Sequence, residues 1–331
     1  MAGQLSLYIK AFIIRFFQTL GRYLDLYAST PLPQRPLFSR TIPSTVGSVP
    51  GQFKILFYTP PDYSRKPKSA GYPILVNFHG GGYTIGHAAD DARWATEVVK
   101  RTGGVVASVD YRLAPGYPFP TGIEDCVSAV LYLWQHADEL NLDVARTAFS
   151  GFSAGGNFCY TAAIRLHEEL TALRGPGRAV ENHQLNVGKL VSTVAFYPAV
   201  DMTKSRAERN ASNPNMKSII NPVFFKLFAG CYFPPGTDTH SPLLSPGVAP
   251  DQVLRDALPE NNVMMTCWGD GLLMEGEQFR ERLKALGKRV DGYIVPEVPH
   301  GWDKWPSYRN GNVKRDEAYK FAAESLREFW N

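Results

Sequence analysis

The chain has 331 residues, 44% of them hydrophobic and 20% charged, which is enough apolar material for a sizeable core in an ordinary globular composition. A formal charge of +4 with no Lys/Arg block gives nucleic-acid binding no electrostatic support. Cys126, Cys159, Cys231 and Cys267 are scattered without C-x-x-C or other metal-ligand spacing, so a reducing compartment and no disulfide framework are expected.

Residues 5–20 are rich in apolar side chains, among them Leu5, Phe12, Ile13, Phe16 and Phe17. Lys10 and Arg15 interrupt the run, so no uncharged span reaches the roughly 20 residues of a membrane helix. No small-residue cleavage site marks a secretory signal. The pattern predicts an amphipathic helix continuing toward Tyr27. We read it as a lid packed on the body, with an interfacial membrane anchor as the alternative. Residues 29–50, rich in Pro, Ser and Thr, read as an extended connector.

Beyond it, apolar runs of strand length fall at 53–59, 73–78, 104–109, 189–197, 263–268 and 290–295, with a shorter one leading into Ser153. Helical patterns lie between them at 92–101, 122–136, 275–286 and 313–330, and after Ser153. Residues 172–186 read as a polar surface loop. Residues 202–246 break the rhythm and read as an insertion over the sheet, with a helix at 222–231. Strands alternating with helices predict an α/β fold with a mainly parallel sheet covered on both faces.

Residues 147–157 read Thr-Ala-Phe-Ser-Gly-Phe-Ser-Ala-Gly-Gly-Asn. An apolar run enters and a helical run leaves, with a G-x-S-x-G turn between them: Gly151, Phe152, Ser153, Ala154 and Gly155. A serine on such a turn stands clear of the sheet, ahead of a helix N-terminus; an ordinary βα turn is the competing interpretation.

Seven histidines are candidates for its base. His79, His87 and His136 precede the serine. His167 and His183 lie in the following helix and loop, with no strand-end acid between them and the serine. His240 falls in the insertion, with only Asp201 well placed before it. His300 follows the last strand in Pro299-His300-Gly301-Trp302, and Asp270 follows the preceding strand in Trp268-Gly269-Asp270-Gly271-Leu272. Alone, such residues are surface histidines and turn formers. In the order Ser153, Asp270, His300 at successive strand ends they are candidates for an acyl-transfer triad.

The strand at 73–78 ends in His79-Gly80-Gly81-Gly82. Successive glycines let backbone N–H groups approach a ligand that Cβ atoms would block. Gly81, Gly82 and Ala154 then offer three N–H donors for an oxyanion. A phosphate-binding loop is the alternative, but no Lys-Ser/Thr follows and the G-x-G-x-x-G spacing is incomplete.

Four co-linear motifs carry a resemblance: 79–82, Val-Asp-Tyr-Arg-Leu-Ala-Pro at 109–115, Gly-Phe-Ser-Ala-Gly-Gly-Asn at 151–157, and Ser-Pro-Leu-Leu-Ser-Pro at 241–246. From about residue 73 onward the chain resembles the hormone-sensitive-lipase-like branch of the α/β-hydrolases. The resemblance implies a mostly parallel sheet with helices on both faces and a helical cap. The cap would come from residues 1–50 and about 202–246, on a catalytic domain spanning 51–331. It implies carboxylic-ester hydrolysis without metal or organic cofactor, with Ser153, Asp270 and His300 as the triad. His79, Gly80, Gly151 and Gly155 would support the two motifs, while Asp110 and Arg112 would be structural. Two departures stand out: Phe152 and Met274 occupy positions where the family commonly carries acids, although Glu275 is kept. The hydrophobic N-terminus is similar to that of fungal esterases acting on secondary metabolites.

The expected substrate is a small to medium, apolar ester. An acyltransferase or a thioesterase would use the same triad, and a non-catalytic binding protein, like the plant gibberellin receptors on this fold, is the third alternative. The expected location is cytoplasmic. Membrane contact through the first helix is the less favoured option, and homodimerisation is left open.

Overall fold

Long apolar runs build the centre of the sheet, and the charged and proline-rich stretches decorate it. The computed structural model describes residues 2–63, 70–174, 187–217, 222–305 and 311–331. In chain order, α1 (Ala2–Ala28) precedes β1 (Phe38–Pro43), β2 (Gln52–Tyr58), β3 (Tyr72–Phe78), α2 (Ala92–Thr102), β4 (Val105–Asp110) and α3 (Thr121–Gln135). Next come β5 (Leu142–Phe152), α4 (Ala154–Arg174), β6 (Leu190–Phe196), α5 (Arg206–Ser212) and α6 (Pro222–Tyr232). The chain closes with α7 (Asp251–Ala257), β7 (Asn261–Cys267), α8 (Leu273–Ala285), β8 (Arg289–Asp291), β9 (Ile294–Val295) and α9 (Val313–Trp330).

The strand order is β1-β2-β4-β3-β5-β6-β7-β8, with β9 pairing further along β7. Strands from β4 through β8 run parallel, and β1–β2–β4 is antiparallel. Every residue of β3 is buried, as a strand covered on both faces requires. Its side chains divide between two cores. Ile74, Val76 and Phe78 join α3 and α4 on one face, while Leu75 joins α2 and α9 on the other. The C-terminal ends of β3, β5, β7 and β9 carry the glycine loop, Ser153, the Asp270 loop and the His300 loop, so the four predicted site segments share one edge of the sheet.

Several sequence expectations are corrected. The connector at 29–50 contains β1, an edge strand that among the described residues pairs only with β2 and whose sole fully inward side chain is Ile42. The run at 290–295 is two short strands rather than one, because Gly292 (φ +122°) turns the chain between them. Helix α4 continues through residues 172–174, placed in a loop by the sequence; the rest of that stretch, from 175 to 186, lies outside the described residues. Helices α5 and α7 were not anticipated. The four cysteines are buried and unbridged. Asp110 and Arg112 take the structural roles expected of them. Asp110 accepts the Ala88 N–H at 2.9 Å, and Arg112 grips Asp125 while donating to the carbonyls of Val49 and Pro50.

Candidate active site

Strand β5 runs into Ser153 and α4 starts at the next residue, so the serine occupies a one-residue turn. Its φ of +54° lies in the left-handed region, a strained conformation for a residue with a Cβ. The turn is held by the Ser153 N–H donating to Phe196 O at 2.9 Å and by Asn157 N–H donating to Ser153 O at 3.0 Å. Such a tight approach admits no side chain at Gly155, where a Cβ would lie 1.9 Å from Phe78 O. At Gly151 it would lie 2.2 Å from Gly155 O. The two motif glycines are thus demanded by close backbone packing between the turn and β3.

The structure brings the three triad candidates together. His300 Nε2 lies 2.8 Å from Ser153 Oγ, and His300 Nδ1 lies 2.6 Å from Asp270 Oδ2. Asp270 is buried, and its other oxygen accepts the Leu272 N–H at 3.0 Å. Burial pulls the His300 pKa down. The Asp270 charge and hydrogen bond, helped by Asp303, outweigh that pull, so the net direction is upward. The rejected histidine, His240, is exposed beside Asp238, and Asp201 bonds to Thr203 instead.

The glycine loop faces the same point. Gly81 (φ +120°) turns the chain so that its carbonyl accepts from Thr84 and Ile85, and a Cβ there would meet Ile85 O at 2.2 Å. Among the described residues, no hydrogen bond takes up the N–H groups of Gly81 and Gly82. The Ala154 N–H, at the first residue of α4, has no intrahelical acceptor and sits at the positive end of the helix dipole. Gly80, Gly81, Gly82, Ala154, Ser153, Asp270 and His300 all line one cavity of about 670 Å³. His79 is buried behind the loop, its Nδ1 2.8 Å from Gly80 O and its ring stacked on Tyr111 at 4.1 Å.

Phe17 from α1 and Phe224, Phe225, Phe228 and Phe233 from residues 202–246 line this cavity. Tyr232 does not; it is buried against Tyr83 at 3.9 Å. Phe12 and Phe16 do not line it either, because they lie on the outer face of α1. Helix α1 meets the body through a mixed face, on which Leu7, Ala11 and Ile14 pack beside Arg15 and Gln18. Phe152, where the resembled family carries an acid, is fully buried and stacked on Phe196 at 4.4 Å. The Lys304 ammonium sits 3.2 Å above the Phe152 ring centre and pairs with Asp91 and Asp303 at 2.7 and 3.1 Å. Aromatic face and two carboxylates together satisfy this cation.

Sequence reasoning missed the residues that hold the Asp270 loop. Asn213 Nδ2 donates to Trp268 O and Asp270 O at 2.9 and 2.8 Å, and the Lys217 N–H donates to Gly269 O at 2.9 Å. Arg209 pairs with buried Glu275 at 2.7 Å, and Glu275 in turn accepts the Val200 N–H at 2.9 Å. The insertion therefore clamps the loop that carries the acid. Tyr197 was also missed. At φ +38° after β6, its ring meets the His300 ring at 4.8 Å and its hydroxyl bonds to Asp303. No short motif marks Asn213, Lys217, Arg209 or Tyr197; Glu275 alone stands at a position the resemblance had singled out.

The sequence profile of the alpha/beta hydrolase fold family matches residues 75–304. An AB hydrolase superfamily protein of Schizosaccharomyces pombe is 29% identical over 234 residues, 70% of this chain but only 63% of that protein. Esterase LipI of Mycobacterium tuberculosis is 27% identical over 277 residues, 82% of this chain and 78% of its own. A hyperthermophilic esterase from Pyrobaculum calidifontis superposes with a TM-score of 0.75 at 23% identity, covering 96% of this chain and 93% of its own, which is a likeness of fold. With more than two thirds of its length matched and the four motifs gathered at one sheet edge, the chain belongs to the α/β-hydrolase fold family, in its hormone-sensitive-lipase-like carboxylesterase branch.

Proposed function

We propose that the protein is a serine esterase that cleaves carboxylic esters through an acyl-enzyme on Ser153. The observation that carries this reading is the continuous relay from Ser153 Oγ through both nitrogens of His300 to Asp270, at 2.8 and 2.6 Å. His300 Nε2 accepts the Ser153 proton as Oγ attacks the ester carbonyl, and Asp270 stabilises the imidazolium that forms. The N–H groups of Gly81, Gly82 and Ala154 hold the oxyanion. Each such donor contributes about 10²–10³ in turnover. His300 then protonates the departing alcohol, and water repeats the attack to release the acid.

Helix α1 and residues 202–246 together serve as the cap. The Phe-rich wall they give the cavity selects small to medium apolar acyl or alcohol groups, and a volume of about 670 Å³ suits one such ester rather than a long triglyceride. Two measurements test the reaction class together. A fluorophosphonate probe should label the peptide bearing Ser153, and p-nitrophenyl butyrate should yield free butyrate even when a competing alcohol is present. Butyrate appearing only as a new ester would assign acyl transfer instead. Absence of labelling would point to a binding protein.

The clamp on the acid loop gives a second test. Asn213→Ala removes two hydrogen bonds from the Trp268 and Asp270 carbonyls. With roughly 0.5–1.5 kcal/mol for each bond, kcat should fall about tenfold while KM and the pH profile hold. A variant with unchanged kcat would show that the loop keeps its shape without the clamp.

A further inference from the structure

Helix α1 meets the body through a mixed face and leaves a broad apolar stripe uncovered. Leu7, Ala11, Ile14 and Leu26 pack inward, beside polar side chains that bond to the body. Arg15 donates to Thr84 O and Ala114 O at 2.8 and 2.6 Å, Gln18 donates to Asp90 at 2.7 Å, and Asp25 accepts from Arg93 at 3.0 Å. The apolar side chains of the opposite face turn outward: Phe12 is 71% exposed, Phe17 64%, Leu5 62% and Phe16 62%. A surface helix ordinarily buries such a stripe. Here it runs along a helix of 27 residues, about 40 Å at 1.5 Å per residue, longer than the scattered apolar contacts of a monomer's surface.

We propose that this face docks on an anionic phospholipid bilayer. Charge identifies the occupant. Among residues 4–37 the only exposed charged side chains are Lys10 and Arg35, both cationic, while the carboxylate of Asp25 is turned in against Arg93. A second copy would bring the same two cations and no acid to meet them, whereas an anionic lipid surface complements them. Tyr23 and Tyr27, each about half exposed, add rings with polar tips of the kind that settle at headgroup level. None of the described helices is long and apolar enough to cross a membrane, so α1 lies in the interface rather than spanning it.

The docking face continues into the substrate cavity. Phe17 belongs to both, and Trp305, 60% exposed, lines the cavity as well. A docked molecule thus holds Phe17, at the mouth of the cavity, against the lipid, and an apolar ester dissolved there reaches Ser153 without crossing water. This last step rests on the esterase reading; the docking itself does not.

Co-sedimentation of the full chain with phosphatidylcholine vesicles, with and without phosphatidylserine, tests the proposal by a readout independent of activity. The wild type should pellet with the phosphatidylserine vesicles and be released by added salt. The variant F12E/F16E, altered at two positions outside the cavity, should bind at least about tenfold more weakly. It should still turn over soluble p-nitrophenyl butyrate at the wild-type rate, which shows that it is folded. Lys10→Glu should weaken binding with the same retention of activity. Wild type that stays in the supernatant overturns the proposal, as does F12E/F16E that binds like wild type. A wild-type dimer that F12E/F16E converts to monomer, with no vesicle binding by either, assigns the face to a second copy and overturns it too.

Discussion

Ser153→Ala should abolish hydrolysis of p-nitrophenyl butyrate, with kcat falling by about 10⁶. The size follows from the role: without Oγ there is no acyl-enzyme, and only the oxyanion donors and the binding cavity remain to act on a direct attack by water. The variant should nevertheless fold. Among the described residues the Ser153 hydroxyl bonds only to His300, and alanine carries the same Cβ through the strained φ of +54° that serine already tolerates. Loss of one partly buried hydroxyl at a cavity wall is a small perturbation, so Tm should stay within about 2 °C of wild type. Initial rates beside a thermal melt measure both. Wild-type-like turnover in a folded Ser153→Ala protein would remove the serine from the reaction, and the relay to His300 would then need another explanation.

The parts of the site that could be read from the chain are those where chemistry forces a local pattern. Ser153 needs small neighbours because β3 passes within van der Waals distance of its turn, so Gly151 and Gly155 announce it. Asp270 stands at the end of β7, a buried strand with a continuous apolar run, since α-helices cover both sides of the sheet, and His300 follows the short strand β9 beside it. What stayed hidden depends on long-range contact. Asn213 and Arg209 lie in a polar stretch with no repeat, and their value comes from reaching the Asp270 loop from outside the sheet. Helix α5 buries no residue, so it had no apolar stripe to reveal it, and a capping box between Ser205 and Glu208 holds its start instead. Strand β1 was hidden because an edge strand with one inward residue lacks the alternation of a half-buried one. In α1 the amphipathic pattern was legible, but not that Arg15 and Gln18 would join Leu7, Ala11 and Ile14 against the body. Their carbonyl and carboxylate partners lie in loops far along the chain.

Asp270→Asn should lower kcat by about 10⁴ and move the acid limb of the pH profile downward. The amide would still fit the site, but its NH₂ cannot accept the His300 Nδ1 proton as the carboxylate does, so the imidazole loses both its tautomer and its counter-charge. The direction of the pH change follows from what acts on His300. In the wild type the upward push of Asp270 and Asp303 exceeds the downward pull of burial. The base must be neutral to take the Ser153 proton, so activity should rise through a pKa above the ordinary histidine value of about 6.5. In the Asp270→Asn variant the charge and hydrogen bond of the main upward group are gone while burial remains. The neutral form should then persist to lower pH, and the residual activity should hold at a pH where the wild type has already lost most of its own. Profiles of kcat/KM between about pH 5 and 9 separate this from simple damage to the fold, which would lower the rate without moving the limb. A limb that stays in place would mean that another group, with Asp303 the nearest acid in line, sets the charge of His300.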